Sequence, residues 1–208
     1  MKGIFISFEG PDGAGKTTQI KLLKDYLEKK GYEVLVTREP GGTNISEQIR
    51  SIILNKNNIE MNNITEAMLY AASRAQHVSE LIKPSLEKGK IIISDRFVDS
   101  SIVYQGIGRN LGIDFVKSIN DMAIQGIMPQ ITFLLKISPN EGLKRRFSSD
   151  ECNRLDMEKV EFHNKVYEGY LELESLYPER IVGIDASRSI EKVHEEIIKI
   201  VEKKIYNV

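Results

Sequence analysis

The sequence has a single cysteine, Cys152, among its 208 residues, which excludes an intrachain disulfide and any cysteine-rich zinc site. That scarcity fits a reducing compartment, and the cytoplasm is the expected location. Charge of neither sign is in excess: 29 Lys and Arg stand against 30 Asp and Glu, for a formal net charge of -1. A chain so balanced has no basic surplus to hold a nucleic-acid backbone by counterion release, so nucleic acid is not an expected partner. No apolar run approaches the length of a membrane span, so no membrane is expected either. The first residues carry one lysine and a short apolar run, residues 4–8, before Glu9. That is too short for the hydrophobic region of a signal peptide. The three histidines, His77, His163 and His194, have no metal-ligand spacing and read as solvated or hydrogen-bonded structural residues.

Apolar residues at 41% and charged residues at 28% are what a soluble globular chain carries. The length suits one domain, and without repeat, low-complexity tract or linker the expected unit is residues 1–208. Five short runs, residues 4–8, 33–37, 90–95, 131–137 and 180–185, are apolar nearly throughout rather than alternating. They predict strands covered on both faces, hence a parallel sheet. Between them, residues 17–30 place Ile20, Leu23 and Leu27 at helical spacing and stop at Gly31. Residues 65–88 predict a helix with a bend at Pro84, and residues 157–176 another long helix. Ser138 with Pro139 and Glu141 has the form of a capping box, and Ser189 is a weaker helix start. The pattern is α/β: a doubly wound five-stranded parallel sheet flanked by helices. Residues 147–153 are polar without apolar periodicity and follow Lys144, Arg145 and Arg146. They are a candidate short lid, within about 142–154, or else a solvated turn.

Gly10-Pro11-Asp12-Gly13-Ala14-Gly15-Lys16-Thr17 matches G-x-x-x-x-G-K-[ST] without a mismatch. It follows a predicted strand and opens a predicted helix, where backbone N–H groups close around phosphate oxygens and the helix dipole adds positive potential. Lys16 is the candidate for the β- and γ-phosphates of a nucleoside triphosphate, and the Thr17 hydroxyl for Mg²⁺. Two arginines sit where predicted strands end, Arg38 after residues 33–37 and Arg96 after residues 90–95. The carboxyl ends of strands line the ligand crevice of an open α/β sheet, so both guanidiniums suit a second anion, such as an acceptor monophosphate. Asp95 ends its strand as a Walker-B-like carboxylate and is a second candidate for Mg²⁺ or its waters. The residues alone point to a small-molecule kinase.

Four motifs run through most of the chain: Phe8-Glu9-Gly10-Pro11-Asp12-Gly13-Ala14-Gly15-Lys16-Thr17-Thr18-Gln19, Thr37-Arg38-Glu39-Pro40-Gly41-Gly42-Thr43, Ala71-Ala72-Ser73-Arg74-Ala75-Gln76-His77, and Asp95-Arg96-Phe97-Val98-Asp99-Ser100-Ser101 with Tyr104-Gln105-Gly106. In order and spacing they resemble the bacterial thymidylate kinases. The resemblance implies a cytoplasmic homodimeric enzyme that moves the γ-phosphate of ATP to dTMP with Mg²⁺, giving dTDP and ADP. It makes Gly10 to Thr18 the ATP-binding loop, Arg38 and Arg96 ligands of the dTMP phosphate, and Arg50 a weaker candidate for the same group. Arg74 and Gln105 would bond the thymine edge, with Ser101 near the base. Tyr104 would close the space beside C2′, and Asp12 would sit beside the acceptor sugar and phosphate. Tyr70 stands where the family usually stacks a phenylalanine on thymine, and Phe97 replaces the tyrosine of the usual Asp-Arg-Tyr. The loop has no arginine of its own, as in members whose lid supplies catalytic charge, which makes Arg145, Arg146 and Arg154 the lid candidates. The rival readings are a kinase for another nucleoside monophosphate, and a P-loop ATPase or switch, against which stands the lack of an Asn-Lys-x-Asp motif.

Overall fold

The alternation of strands and helices read from the sequence closes on a single sheet. The computed structural model describes residues 3–147, 153–155 and 157–206. Among these, five strands, β1 (Ile4–Glu9), β2 (Val34–Arg38), β3 (Ile91–Asp95), β4 (Ile131–Lys136) and β5 (Ile181–Asp185), pair in parallel in the order β2-β3-β1-β4-β5. Successive side chains of a strand point to opposite faces, and here both faces are covered. Phe5, Ile92, Leu134 and Ile181 join one apolar cluster, while Ile6, Phe8, Ile93, Phe133, Leu135 and Ile184 join another. This double burial is why the strands carry unbroken apolar runs. β1 lies at the centre, so the loop that follows it opens between the carboxyl ends of β3 and β4.

α1 (Lys16–Lys29) enters from Gly15 at φ 88° and buries Ile20, Leu23 and Leu27. It ends before Gly31, whose φ of 90° is the left-handed geometry a helix stop favours. α2 (Asn44–Leu54) is capped by Thr43, whose hydroxyl accepts from Ser46 N at 3.4 Å, and α3 (Asn63–His77) by Asn62, which accepts from Ile64 N at 2.9 Å. The stretch read as one helix with a bend at Pro84 is three pieces: α3, a π-helical turn over Val78–Ile82, and α4 (Lys83–Glu87). The widening lies ahead of the proline, where Lys83 N bonds Val78 O. A wider turn spaces the ring of Pro84 from the preceding carbonyls, and no N–H is needed at that residue.

α5 (Val98–Ser101) passes into a second π-helical turn over Ile102–Gly108. α6 (Ile113–Ile124), α7 (Pro139–Phe147), α8 (Val160–Leu176) and α9 (Ile190–Tyr206) complete the order. Ser138 caps α7 through Glu141 N at 3.3 Å, and Ser189 meets Lys192 N at 3.4 Å ahead of α9. α8 starts at Val160, three residues later than its periodicity suggested. Cys152 and most of the segment read as a lid lie outside the described residues.

Candidate functional site

The loop after β1 turns on three glycines with positive φ, Gly10 (128°), Gly13 (79°) and Gly15 (88°). Two of them are also needed for space. A Cβ on Gly10 would come within 2.5 Å of Leu135 O, and one on Gly13 would run into the Gly142 carbonyl. Gly142 in turn leaves no room for a side chain, since a Cβ there would lie 2.6 Å from Asp12 O. The base of α7 is therefore seated directly on the phosphate loop. Lys16 is buried and donates to the carbonyls of Gly10 at 3.1 Å and Pro11 at 2.9 Å. Burial, then the charge of Arg96, hold its ammonium below the ordinary lysine range, against the pull of Asp12, Asp95 and Glu9.

Arg96 occupies left-handed backbone at φ 71°, a conformation with a cost for a residue bearing a Cβ. Its N–H donates to Phe8 O at 2.9 Å and its carbonyl accepts from Ser94 Oγ at 2.7 Å, which fixes the turn between β3 and α5. Its guanidinium donates to Asp12 at 2.8 Å, Ser100 Oγ and Tyr170 Oη at 3.0 Å each, and Tyr104 Oη at 3.3 Å, and lies 5.1 Å from the centre of the Tyr104 ring. Beneath it Glu9, 1% exposed, accepts from Phe97 N at 2.7 Å, Ser100 Oγ at 2.6 Å and Tyr170 Oη at 3.0 Å. Burial, then the neighbouring Asp99, raise the Glu9 carboxyl to about 7, and burial raises both tyrosines.

Two more arginines meet on one carbonyl. Arg38 and Arg50 both donate to Pro40 O, at 2.9 and 2.7 Å, and Arg38 also pairs with Glu47 at 2.9 Å. Burial and the adjacent Arg38 lower the Arg50 guanidinium from its ordinary value. The loop they share is braced from below. Glu39, buried, pairs with Arg74 at 2.7 Å and with His77 Nδ1 at 2.9 Å, while His77 Nε2 meets Thr37 Oγ1 at 2.7 Å. His77 is thus a hydrogen-bonded structural histidine. Arg74 spends further donors on Ser101 Oγ at 3.0 Å, Phe97 O at 3.1 Å and Asn120.

One cavity of about 640 Å³ receives most of these groups. It is lined by Asp12, Gly13, Gly15, Lys16, Thr17 and Thr18 of the loop, by Arg38, Arg50, Asp95 and Arg96, and by Tyr70, Arg74, Tyr104 and Gln105. Arg145, which also bonds Glu141 at 3.4 Å, lines it from α7. Gly10, Pro11 and Ala14 complete the loop as its framework, and Ser101 is buried behind Arg74. Arg154 departs from the expected lid position. It is buried, with Nε on Ile53 O at 2.9 Å and its terminal nitrogen on Glu66 at 2.5 Å. Its charge is engaged by Glu66, and its neighbours Asn153 and Leu155 line the cavity in its place. The side chain of Arg146 lies outside what the structure describes.

Sequence reasoning missed the carboxylates that organise these cations. Glu9, Glu39 and Glu66 are almost fully buried, and buried acids in a soluble chain are rare unless paired. Glu9 and Glu39 sit inside the motifs at residues 8–19 and 37–43, which is a usable signal, although the groups they bond come from other motifs and elements. Tyr170, from the middle of α8, carried none.

The family model described as thymidylate kinase matches residues 8–197. The chain is 52% identical over 204 residues to a thymidylate kinase of Bacillus pumilus (strain SAFR-032), covering 97% of this chain and 96% of the relative. It is 54% identical over 203 residues to one from Thermoanaerobacter sp. (strain X514), covering 98% and 99%. A crystal structure of thymidylate kinase from Ehrlichia chaffeensis superposes with a TM-score of 0.76 at 33% identity, covering 97% of this chain and 99% of that one. A matched family model over most of the length, and identity above half across whole relatives, mean that the chain belongs to the thymidylate kinase family.

Proposed function

We propose that the chain transfers the γ-phosphate of ATP to dTMP, giving dTDP and ADP, as one kinase domain over residues 1–208 with a lid within about 142–154. The observation that carries this reading is the shared cavity: a phosphate loop with its lysine and three further arginines, Arg38, Arg50 and Arg96, open into one chamber. A hydrolase needs only the first half of that arrangement. An enzyme that joins a donor phosphate to an acceptor phosphate needs both.

The acceptor monophosphate is already an anionic nucleophile, so catalysis is a matter of alignment and charge. In this reading Lys16 and the loop N–H groups hold the donor phosphates, and Arg38, Arg96 and Arg50 hold the acceptor phosphate. Arg145 neutralises charge on the group in transfer. Tyr70 lies against the base, Tyr104 beside the sugar, and Arg74, Ser101 and Gln105 face the base edge. Asp12 keeps Arg96 in place until the acceptor arrives. Magnesium fits the donor set, since Thr17 and Asp95 bring a hydroxyl and a carboxylate to the cavity wall, the hard oxygen donors that ion prefers. Bound there, it would screen the negative charge of the phosphate oxygens.

A homodimer belongs to the same reading. α3 and α6 pack on one another and leave Ile64, Met68, Phe115 and Met122 exposed at 45, 54, 37 and 78%, an apolar face that a second copy would cover. Among the described residues no helix is long and apolar enough to cross a membrane. The balanced charge gives nucleic acid no footing, and the lone cysteine suits the cytoplasm.

The test is ADP production from Mg-ATP without acceptor and then with dTMP, dUMP, UMP, CMP, AMP and GMP in parallel. Fast turnover with dTMP supports the reading. Preference for another monophosphate, or hydrolysis that needs no acceptor, overturns it.

A further inference from the structure

Gln105 and Glu66 form a pair whose consequence reaches the base site. Glu66 is fully buried, and its carboxylate accepts from Gln105 Nε2 at 2.9 Å, from Arg109 at 3.2 and 3.1 Å, and from Arg154 at 2.5 Å. Burial alone would raise this acid, but the bonds from Arg109, Gln105 and Arg154 outweigh it and hold the carboxyl below its ordinary value. Ionised, it can only accept. A side-chain amide can face such a group only with its NH₂. Turned over, Gln105 would set its carbonyl oxygen against a carboxylate in a buried setting, where unpaired like dipoles are costly. Since Gln105 also lines the cavity, its oxygen is the amide atom left to meet a ligand.

We infer that Glu66 is a specificity-determining positioning residue: by holding Gln105 Nε2 it makes the base site present a hydrogen-bond acceptor, and so selects a pyrimidine whose ring edge carries an N–H donor. This rests on the nucleotide reading of the cavity given above. Thymine and uracil carry a proton on N3. Cytosine has a bare acceptor there, which would meet the Gln105 oxygen lone pair to lone pair. A site built to bond one partner discriminates strongly against a ligand that leaves the buried group unpaired. Glu66 touches no substrate in this scheme. It acts through Gln105.

The test compares kcat/KM for dTMP, dUMP and 5-methyl-dCMP in the full-length chain and its Glu66→Gln variant. An amide at position 66 can donate to Gln105, which frees that residue to turn and offer its NH₂ to the base. The expected result is a rise of at least about tenfold in the preference ratio of 5-methyl-dCMP over dTMP, with the dUMP to dTMP ratio held within about twofold. A merely loosened fold would lower all three together and leave both ratios in place, which overturns the inference. Arg109 keeps Glu158 at 2.6 Å and Arg154 keeps Ile53 O in the variant. Should it nonetheless fail to fold, the unmodified chain decides through a dTMP analogue with CH in place of N3–H. Binding at least about tenfold weaker than dTMP is expected, and equal binding overturns the assignment. If the unmodified chain does not use dTMP at all, the proposed function falls and this inference with it. An active parent with an unchanged ratio in the variant sinks the inference alone.

Discussion

Arg96 reaches from the turn after β3 to donate to Asp12 inside the phosphate loop at 2.8 Å. The arginine assigned to the acceptor and the loop assigned to the donor are therefore one hydrogen-bonded unit. Its backbone strain and its polar contacts with Ser100, Tyr104 and Tyr170 hold the guanidinium before any ligand binds. Preorganised charge of this kind needs no rearrangement at the moment of transfer.

Removing that charge should cost activity and little else. Arg96→Ala and Lys16→Ala are each expected to lower kcat/KM for dTMP by at least about a hundredfold, since each deletes a cation that the proposed mechanism sets on a reacting phosphate. Far-UV circular dichroism and a cooperative melt should stay close to the parent. Near-normal turnover of either purified, folded variant would remove that residue from the assignment.

Glu39 gives the opposite pattern. Its carboxylate is the counter-ion of Arg74, which is 1% exposed. Glu39→Ala leaves that guanidinium buried without a partner charge, at about 3–5 kcal/mol. It also releases the ring of His77 beneath the loop that carries Pro40. Urea unfolding should report the loss directly, and a cost below about 1 kcal/mol would mean that Asn120, Ser101 and Phe97 O suffice to hold Arg74.

The fold was legible because its signals are local. Unbroken apolar strands, the Gly31 stop and the Ser138 cap each state their own geometry, and a sheet buried on both faces needs no finer pattern than that. The phosphate loop was equally plain, since its glycines answer to steric demands within a few residues. What could not be read is pairwise and distant. Nothing near Tyr170 in the chain indicates that its hydroxyl meets Arg96 and Glu9, and nothing near Arg154 indicates that Glu66, 88 residues away, takes its charge. Arginines were identifiable as cations in the right motifs, but which of them face the cavity depends on carboxylates supplied by other elements. The π-helical turn before Pro84 is different: the proline marked the irregularity, but not that the backbone would widen ahead of it instead of bending.

Two of the lid candidates are placed differently, Arg145 at the cavity and Arg154 on Glu66. Arg145→Ala should lower kcat while leaving the KM for dTMP within about threefold, because the residue lines the cavity from α7 and, in the proposed mechanism, serves the group in transfer. Arg154→Ala should instead lower the melting temperature by several degrees, roughly 2–4 °C per kcal/mol for a chain of this size, as Glu66 loses one of its buried partners. The two effects appearing in the reverse order would exchange the assignments.

Glu9 makes stability depend on pH in a direction unusual for a carboxylate. Burial first, and Asp99 second, raise it from the ordinary 4.5 to about 7, against the pull of Arg96 and its own hydrogen bonds. Between those values the native chain holds a proton that the unfolded chain has released, so stability is greatest below the lower value and declines as pH rises to the upper one. Glu9→Gln keeps the length of the side chain and removes the titration. Melting temperatures of the parent and the variant, taken without nucleotide from about pH 5 to about pH 8, should therefore diverge, the parent losing several degrees relative to Glu9→Gln across that window. The divergence should stop above the upper value, where both native and unfolded Glu9 are ionised. A difference that stays flat through the window would show that Glu9 keeps its charge in the native state, and that Arg96, rather than a bound proton, compensates for its burial.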